Sequence, residues 1–561
     1  MNTIIRNFFH TLRRFRIATL LNILGLSVAF TAFIVIMMQV SYHIRFDSSI
    51  PDADNVYRIN LELNGDRIAA TPRPVGEGFA AYSPYIRTVA VANAMYATVF
   101  DQYFTIETED TTSHLQTYAE KMMQITAGYI DIFQPKMVEG YAEALLEPDK
   151  VLIPQSIATR IFKGESAIDK RLRGENVVWT VGGVYKDFPK NSSVHNFILV
   201  QLPEHDHWAL NYETYVSIDP SQNASALLAE YIATIEPMFK NEGYDNAKFF
   251  LTPIKTIHFD TTIGFDTVEK TSTTTLWILT GIALVILIIA AINFTNYSIA
   301  LTPLRIKSIN TQKVLGATQR TLCSSLVIEA ILISLTSFGI ALFMVYLLSL
   351  TPVTHLLPDD LILYNNISLL CFISAAALFT GLFAGVYPAY FATSFAPALV
   401  LKGNFGLSPR GRQLRNSLVG AQFIASFALI IVAIFMYIQT NYMQHSDPGY
   451  SRNKTIVVAT NRQFADQHEL FAKELQSLPG IESVGYSEAL LADRDHYDTN
   501  KAKLRESTII FNSIRVDHNF LQTVNIPLLD GRYFTKSDAQ TENAYFIIFN
   551  EQARKEYDLQ L

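Results

Sequence analysis

Cysteine is nearly absent: 561 residues contain two, Cys323 and Cys371, and both fall inside apolar runs. The long polar stretches hold none, so no disulfide framework supports them and apolar cores must do so. Compact catalytic signatures are missing as well. Without G-x-x-x-x-G-K-[ST] the chain cannot cradle nucleotide phosphates by the P-loop route. It has no G-x-S-x-G, no H-E-x-x-H and no cysteine pair at metal spacing. With no nucleophile–base set visible, the chain reads as no enzyme, with no cofactor or bound metal. Two clusters, Glu204-His205-Asp206-His207 and Asp493, Asp495, His496 and Asp498, have the right side chains for a metal. Clusters of this kind in polar loops are more often solvated surface.

Charge is scarce too. Charged residues make up 17% of the chain against 49% hydrophobic, and the net charge of −7 averages over very unequal segments. That balance is too apolar for an ordinary soluble chain and too polar for one that is membrane throughout. Apolar runs at 17–40, 276–300, 322–350, 364–391 and 417–439 are each long enough to cross a hydrocarbon core of about 30 Å. The composition therefore predicts a multi-pass α-helical membrane protein with large polar domains, and nothing in it calls for nucleic acid.

Sidedness follows from the basic residues. Segment 301–320, LTPLRIKSINTQKVLGATQR, carries Arg305, Lys307, Lys313 and Arg320 and no acid. A short basic loop between two spans faces the cytoplasm, and Lys307–Gln319 within it is expected to form a short helix ending at Gly316. Segment 393–415, with Lys402, Arg410, Arg412 and Arg415, follows the same rule, while the turn at 351–363 has Asp359 and Asp360 and no cation. The N-terminus is then inside, and residues 41–273 and 441–561 are outside. Residues 1–16 place Ile4, Ile5, Phe8, Phe9, Leu12 and Phe15 on one helical arc and Arg6, His10, Arg13 and Arg14 on the other. This is a basic amphipathic helix suited to an anionic bilayer surface.

Region 41–273 mixes periodicities. Strands are expected at Val56–Leu63, Ile86–Ala92, 151–153 and 177–184, and helices at 76–82 and Gln155–Phe162. Together they suggest a compact α+β domain. The chain also repeats itself at an offset of roughly 391–400 residues. The first span and its exit to Asp47 match the fifth span and its exit to Asp447. Segments 83–89, 129–140 and 151–162 match 478–484, 520–531 and 546–557 in the same order. This order leads to the expectation of an eight-span protein of which these residues are a truncated or interrupted form.

Several polar residues stand inside the spans. Glu329 lies about two turns into the third, where an ionisable group is costly and normally paired or functional. Arg320 or the inner loop is its expected partner. Asn293, Asn296 and Gln422 are expected as interhelical hydrogen-bond partners. Pro388 is expected to kink or end the fourth span.

Four motifs, in this order, resemble the FtsX-like/MacB-type permease family of ABC transporters, especially its tandem-repeat form in Bacteroidetes. They are FDSSIPDADNVYRI at 46–59, LRIKSINTQKVLGAT at 304–318, GLFAGVYPAYFATSFAPALVLKGNF at 381–405 and RNSLVGAQFIASFALIIV at 415–432. TVGGVYKDFPKNSSVHN at 180–196 resembles the first outer domain of that family. The family's inner loop runs R-x-K-E-I-G-x-R-K; here Arg305, Lys307, Ile309, Lys313 and Gly316 remain, while Ser308, Asn310 and Gln312 replace its Glu, Gly and Arg. The resemblance implies MacB-type periplasmic core domains outside an inner membrane and a separate cytoplasmic ATPase that pushes on the 301–321 segment. The membrane-interface helix, with Arg6, Phe8, Phe9, Arg13 and Arg14, is a second contact candidate. It further implies a homodimer or a permease heterodimer, and a periplasmic adaptor and outer-membrane channel where export is the task. The implied function is mechanotransmission for export of a peptide, drug or lipoprotein. The alternative is an FtsX-like envelope protein that controls an outside partner.

Overall fold

The computed structural model describes residues 16–559, apart from 64, 95–96, 98–100, 107–116, 175–176, 204–207, 209, 242–246, 359–360, 396–408, 459, 461–466, 492–497, 505–506 and 541–544. The amphipathic segment with Arg6, Phe8, Phe9, Arg13 and Arg14 lies outside the described residues. So do both His/acid clusters, Asp498 excepted.

The chain divides into a helical unit, which takes in Pro189–Ser192 and Lys270–Met443 as well as residues up to Ser48, and a mixed α/β unit. Among the described residues, five helices are long and apolar enough to cross a membrane. They are α1 Arg16–Ile44, α2 Thr273–Val314, α3 Gln319–Ser349, α4 Ile367–Ser394 and α5 Pro409–His445. The first four form a bundle in which α1 and α4 each pack against both α2 and α3. Its core holds Phe30, Ile34, Phe294, Phe338, Ala341 and Ile373. Phe30 and Phe338 meet edge to face with centroids 6.2 Å apart, a favoured aromatic geometry. No residue of the Arg415–His445 stretch of α5 is buried by other parts of the chain.

Lipid gives helices no hydrophobic reason to associate, so close backbone approach matters more than side-chain bulk. Gly381 and Gly385 are one helical turn apart and share a face of α4. A Cβ on Gly385 would stand 2.5 Å from the Ala330 Cβ, and one on Gly381 would stand 2.8 Å from the Ser334 Cβ and 2.9 Å from the Ile331 Cα. Ser334 Oγ, freed to reach across by that proximity, donates to the Ala377 carbonyl at 2.7 Å.

The helix expected at Lys307–Gln319 with its end at Gly316 does stop just before Gly316, but it is not short and no loop precedes it. α2 continues through the expected inner loop as a single helix of 42 residues that ends at Val314 with Pro303 inside. At 1.5 Å per residue that is about 63 Å, roughly twice a bilayer core. Pro388 likewise does not end α4, which runs on to Ser394.

In the α/β unit, twelve strands form one sheet: β1 Val56–Leu63, β2 Asp66–Ile68, β3 Ile86–Ala92, β4 Asp101–Ile106, β5 Thr117–Ile125, β6 Met137–Gly140, β7 Lys150–Pro154, β8 Arg171–Arg173, β9 Val178–Tyr185, β10 Ile198–Gln201, β11 Glu213–Ile218 and β12 Lys248–Pro253. The path β10-β7-β9-β8-β4-β5 closes on itself because β10 also pairs in parallel with β5. A closed ring has no edge to protect. Phe104, Val151, Ile153, Ile161, Val181 and Ile198 belong to one buried cluster there. The remaining path, β5-β3-β11-β1-β12, carries helices Arg73–Tyr82 and Ala224–Asn241 and a separate core of Ile59, Val75, Phe79, Val216 and Tyr231. Fully buried Arg58 on β1 is held by Asp266, with contacts of 2.9 and 2.5 Å, and donates to Asn60 at 2.9 Å.

The repeat has a backbone signature. Gln134 and Asn525 both adopt positive φ (45° and 57°), as do Gly140 and Gly531 (68° and 84°) and Lys163 and Asp558 (52° and 48°). In the first copy Val91 N donates to Thr126 Oγ1 at 2.9 Å while Thr126 N donates to Val91 O at 3.0 Å. In the second, Tyr486 N donates to Asp517 Oδ1 and Asp517 N to Tyr486 O, both at 3.0 Å. Six left-handed residues and one reciprocal bracket recur at the offset read from the sequence.

Two outcomes follow. Replacing Gly385 by valine overpacks the α3–α4 contact and should cost about 1–3 kcal/mol. The readout is thermal unfolding in detergent, with Gly420→Val on open α5 as a control that changes nothing. Burial lowers the pKa of His195 from its usual 6.5, against the opposing charges of Glu213 and Asp266. The folded α/β unit therefore favours neutral imidazole and the unfolded chain takes up the proton first, so stability falls as pH drops below 6.5. His195→Gln should flatten that slope in acid titrations of thermal stability.

Candidate functional site

The α2–α3 connection is built by two caps. Gly316 N donates to Lys313 O and Ala317 N donates to Gln312 O, both at 3.0 Å, and Gly316 has φ +97°. These are the paired bonds of a Schellman stop, which needs a left-handed residue just past the helix. Two residues on, the Thr318 side chain accepts from Thr321 N and starts α3. Such a turn leaves no slack, so α2 and α3 leave the bundle as a stiff hairpin.

The hairpin is pinned twice. Arg305 lies nine residues before the end of α2 and Glu329 ten residues after the start of α3, so the two stand level. Their side chains meet at 2.9 Å, largely out of solvent. Glu329 thus pairs with Arg305, not with Arg320, which is exposed. Lys313 then reaches the end of α4, donating to the carbonyls of Thr393 and, at 3.0 Å, of Phe395. A cation there satisfies orphan carbonyls and complements the helix dipole. Ile309 packs with Leu322 and Ala392 beneath the same turn.

Only part of the basic set therefore faces outward. Leu304, Lys307, Ser308, Thr311 and Leu315 are exposed at helical spacing, and Leu315 is 81% exposed. Behind them, a cavity of about 40 Å³ lies among Thr19, Ser298, Thr302, Arg305, Glu329 and Pro388. It has room for an ordered water, and Thr19 Oγ1 is buried there with no hydrogen-bond partner among the described residues.

Pro388 sits on this cavity and removes the amide that would bond to the Ala384 carbonyl four residues back. That carbonyl lies 3.1 Å from Thr295 Oγ1 of α2, whose single proton it shares with the Ala291 carbonyl at 2.9 Å. This is how a proline is tolerated inside a membrane helix. The expected interhelical donors are displaced by this arrangement. Among the described residues no hydrogen bond joins Asn293, Asn296 or Gln422 to another helix, and Asn296 Oδ1 is buried without a partner. Short hydroxyls reach a neighbouring carbonyl because the backbones are close: Thr295 on α2 and Ser334 on α3 do the work. The G-x-x-x-G spacing of 381–385 was a readable signal for that closeness. Thr295 had none, since its partner is 89 residues away.

These features define a multi-pass membrane protein with an extracytoplasmic α/β domain. A family model for the MacB-like periplasmic core domain matches residues 19–233, and one for the FtsX-like permease C-terminal region matches residues 280–397. With both in this order, the chain belongs to the FtsX/MacB-type permease family of ABC transporters. Permeases of this family work with a cytoplasmic ATPase subunit. None of the curated proteins compared with the chain matches it. Among solved structures, the periplasmic region of MacB from Actinobacillus actinomycetemcomitans is similar at 15% identity over 37% of this chain and 92% of that one, with a TM-score of 0.26. The extracellular domain of the noncanonic ABC-type transporter YknZ from Gram-positive bacteria is similar at 12% identity over 35% and 100%, with a TM-score of 0.23.

The Thr295–Ala384 bond makes a double-mutant prediction. Thr295→Val should destabilise the bundle by about 1–2 kcal/mol. In a Pro388→Ala background, where the amide is restored, the same change should cost less than half as much. Thermal unfolding of the four proteins measures the coupling.

Proposed function

We propose that this chain is the permease subunit of a MacB/FtsX-type ABC system and that it carries movement, not substrate, across the inner membrane. A separate cytoplasmic ATPase closes on ATP and displaces the α2–α3 hairpin. The helices relay that displacement to the extracytoplasmic domain. The domain then acts on a substrate already outside, such as a peptide, drug or lipoprotein. In this reading the N-terminus and the basic segments are cytoplasmic, the working form is a dimer, and the chain performs no chemistry of its own.

One observation supports this above the others: α2 is unbroken from Thr273 to Val314. A helix that long needs no loop to pass a push from one side of a bilayer to the other. The contact surface is narrower than the count of cations suggests. Arg305 and Lys313 are engaged inside the bundle, which leaves Lys307 with the apolar Leu304 and Leu315 as the outward stripe of α2 and Arg320 exposed at the start of α3. An apolar anchor beside a cation is the composition expected of a protein interface.

The double variant Lys307→Glu, Leu315→Asp tests the surface without disturbing either pin. Reconstituted with its cytoplasmic ATPase partner, this permease should lose about 2 kcal/mol or more of association, roughly a 30-fold weakening, with stimulation of ATP turnover lost in parallel. Unchanged stimulation rejects the surface. Arg305→Glu and Lys313→Glu should instead lower thermal stability, because each strips a buried partner.

A further inference from the structure

The segment TVGGVYKDFPKNSSVHN, at 180–196, holds a structure that the coupling surface does not explain. It joins β9 to β10, yet its tip, Pro189–Ser192, packs as part of the helical unit while the residues on either side belong to the α/β unit. The tip meets the last turn of α1 and the residues after it. Asp47 N donates to Asn191 O at 2.9 Å. Asn191 Nδ2 donates to the carbonyl of Arg45 at 3.0 Å, with the Tyr42 carbonyl at 3.4 Å. Ser192 Oγ donates to Asp47 Oδ1 at 3.1 Å, and Tyr42 Oη donates to Lys190 O at 2.9 Å. Asp47 is fully buried and adopts a left-handed φ of 57°, a conformation that a non-glycine residue keeps only where its surroundings demand it.

The base of the same loop is equally constrained. Asn196 Oδ1 accepts from Phe188 N at 2.8 Å, and Asn196 Nδ2 donates to Phe188 O at 2.9 Å. Tyr185 Oη donates to Phe197 O at 2.5 Å, and Asp187 accepts from Ser156 N and Oγ at 3.1 and 2.9 Å. A loop closed at the base and bonded at the tip has no slack of its own. Orphan carbonyls at a helix C-terminus are ordinarily met by water or by a residue just downstream. Here Arg45 N and Phe46 N meet the Ser41 and His43 carbonyls in that way, while the Tyr42 carbonyl in the last turn and the Arg45 carbonyl just past it also face Asn191, about 146 residues from Arg45.

We infer that Lys190, Asn191 and Ser192 form a latch through which displacement of α1 enters the closed strand ring directly, independently of the chain that leads from α1 into β1. They are positioning residues: the tip reads the end of α1 and the Asn196 clamp passes its position to β9 and β10. The inference rests on the proposed mechanical function for its purpose, but the latch itself is testable without an ATPase.

Asn191→Asp keeps the shape and removes the donor. In the full chain in lipid nanodiscs, hydrogen–deuterium exchange should rise about tenfold at Asp47 and, with it, at the facing ends of β9 and β10. The milder Ser192→Ala should move the same amides less, and a melting curve of each variant confirms that it is folded. Faster exchange confined to 189–192 overturns the latch. A second arm adds the cytoplasmic ATPase partner with ATP and vanadate. Nucleotide should change exchange in β9 and β10 of the wild type and not in Asn191→Asp, while ATP turnover stays equal. A change that persists in the variant overturns the latch. If the wild type shows the coupled exchange of the first arm but no response to nucleotide, the latch stands and the proposed function fails.

Discussion

Lipid offers a backbone no hydrogen bond, and the helical unit is organised around that constraint. Where α4 is interrupted and where α2 and α4 end, the orphaned groups have named replacements. Pro388 orphans the Ala384 carbonyl, and Thr295 supplies the donor. The end of α4 receives Lys313, and the end of α2 closes in a Schellman turn. Across the α3–α4 contact the short Ser334 hydroxyl reaches the Ala377 carbonyl because Gly381 and Gly385 let the two helices approach at backbone distance. Close packing, capped ends and the Arg305–Glu329 pair together make the end of the bundle at the α2–α3 turn one stiff piece. Stiffness there is what the proposed relay of movement requires.

The α/β unit meets the same demand differently. Its strand ring has no free edge, and Arg58 is buried in a two-point contact with Asp266. Removing one partner of such a pair typically costs 3–5 kcal/mol, because a charge is left alone in low dielectric. Repetition of left-handed residues between the two copies indicates that the turns, more than the side chains, define this domain. Gln134 and Asn525 share a backbone conformation although their neighbours differ.

Much of this was legible in the sequence. Span positions follow from run length and agree with the helices to within a few residues, except where a helix outlasts its apolar run. β1, β3 and the helix Gln155–Phe162 fall where alternation and periodicity place them. The family motifs and the repeat were visible as ordered similarity. What could not be read was anything decided by contacts distant in the chain. A basic, polar stretch after a span looks like a loop; 301–314 is helical because Ile306 and Ile309 still have a core to face and Arg305 and Lys313 have partners there. A count of cations does not show how many of them face solvent, for the same reason. Composition cannot tell a cation that meets solvent from one that caps a neighbouring helix. Nor could it show that Asn191 closes the end of α1.

The central claim is that α2 leaves the membrane as a continuous rod and presents one stripe to the inner side. Single cysteines placed at each position from 302 to 316, in a background lacking Cys323 and Cys371, can be labelled with a membrane-impermeant maleimide in sealed vesicles of known orientation. The account predicts labelling only from the cytoplasmic face, strong at 304, 307, 308, 311 and 315 and weak at 302, 306, 309 and 310. Uniform labelling across the segment, or labelling from the outer face, would contradict it.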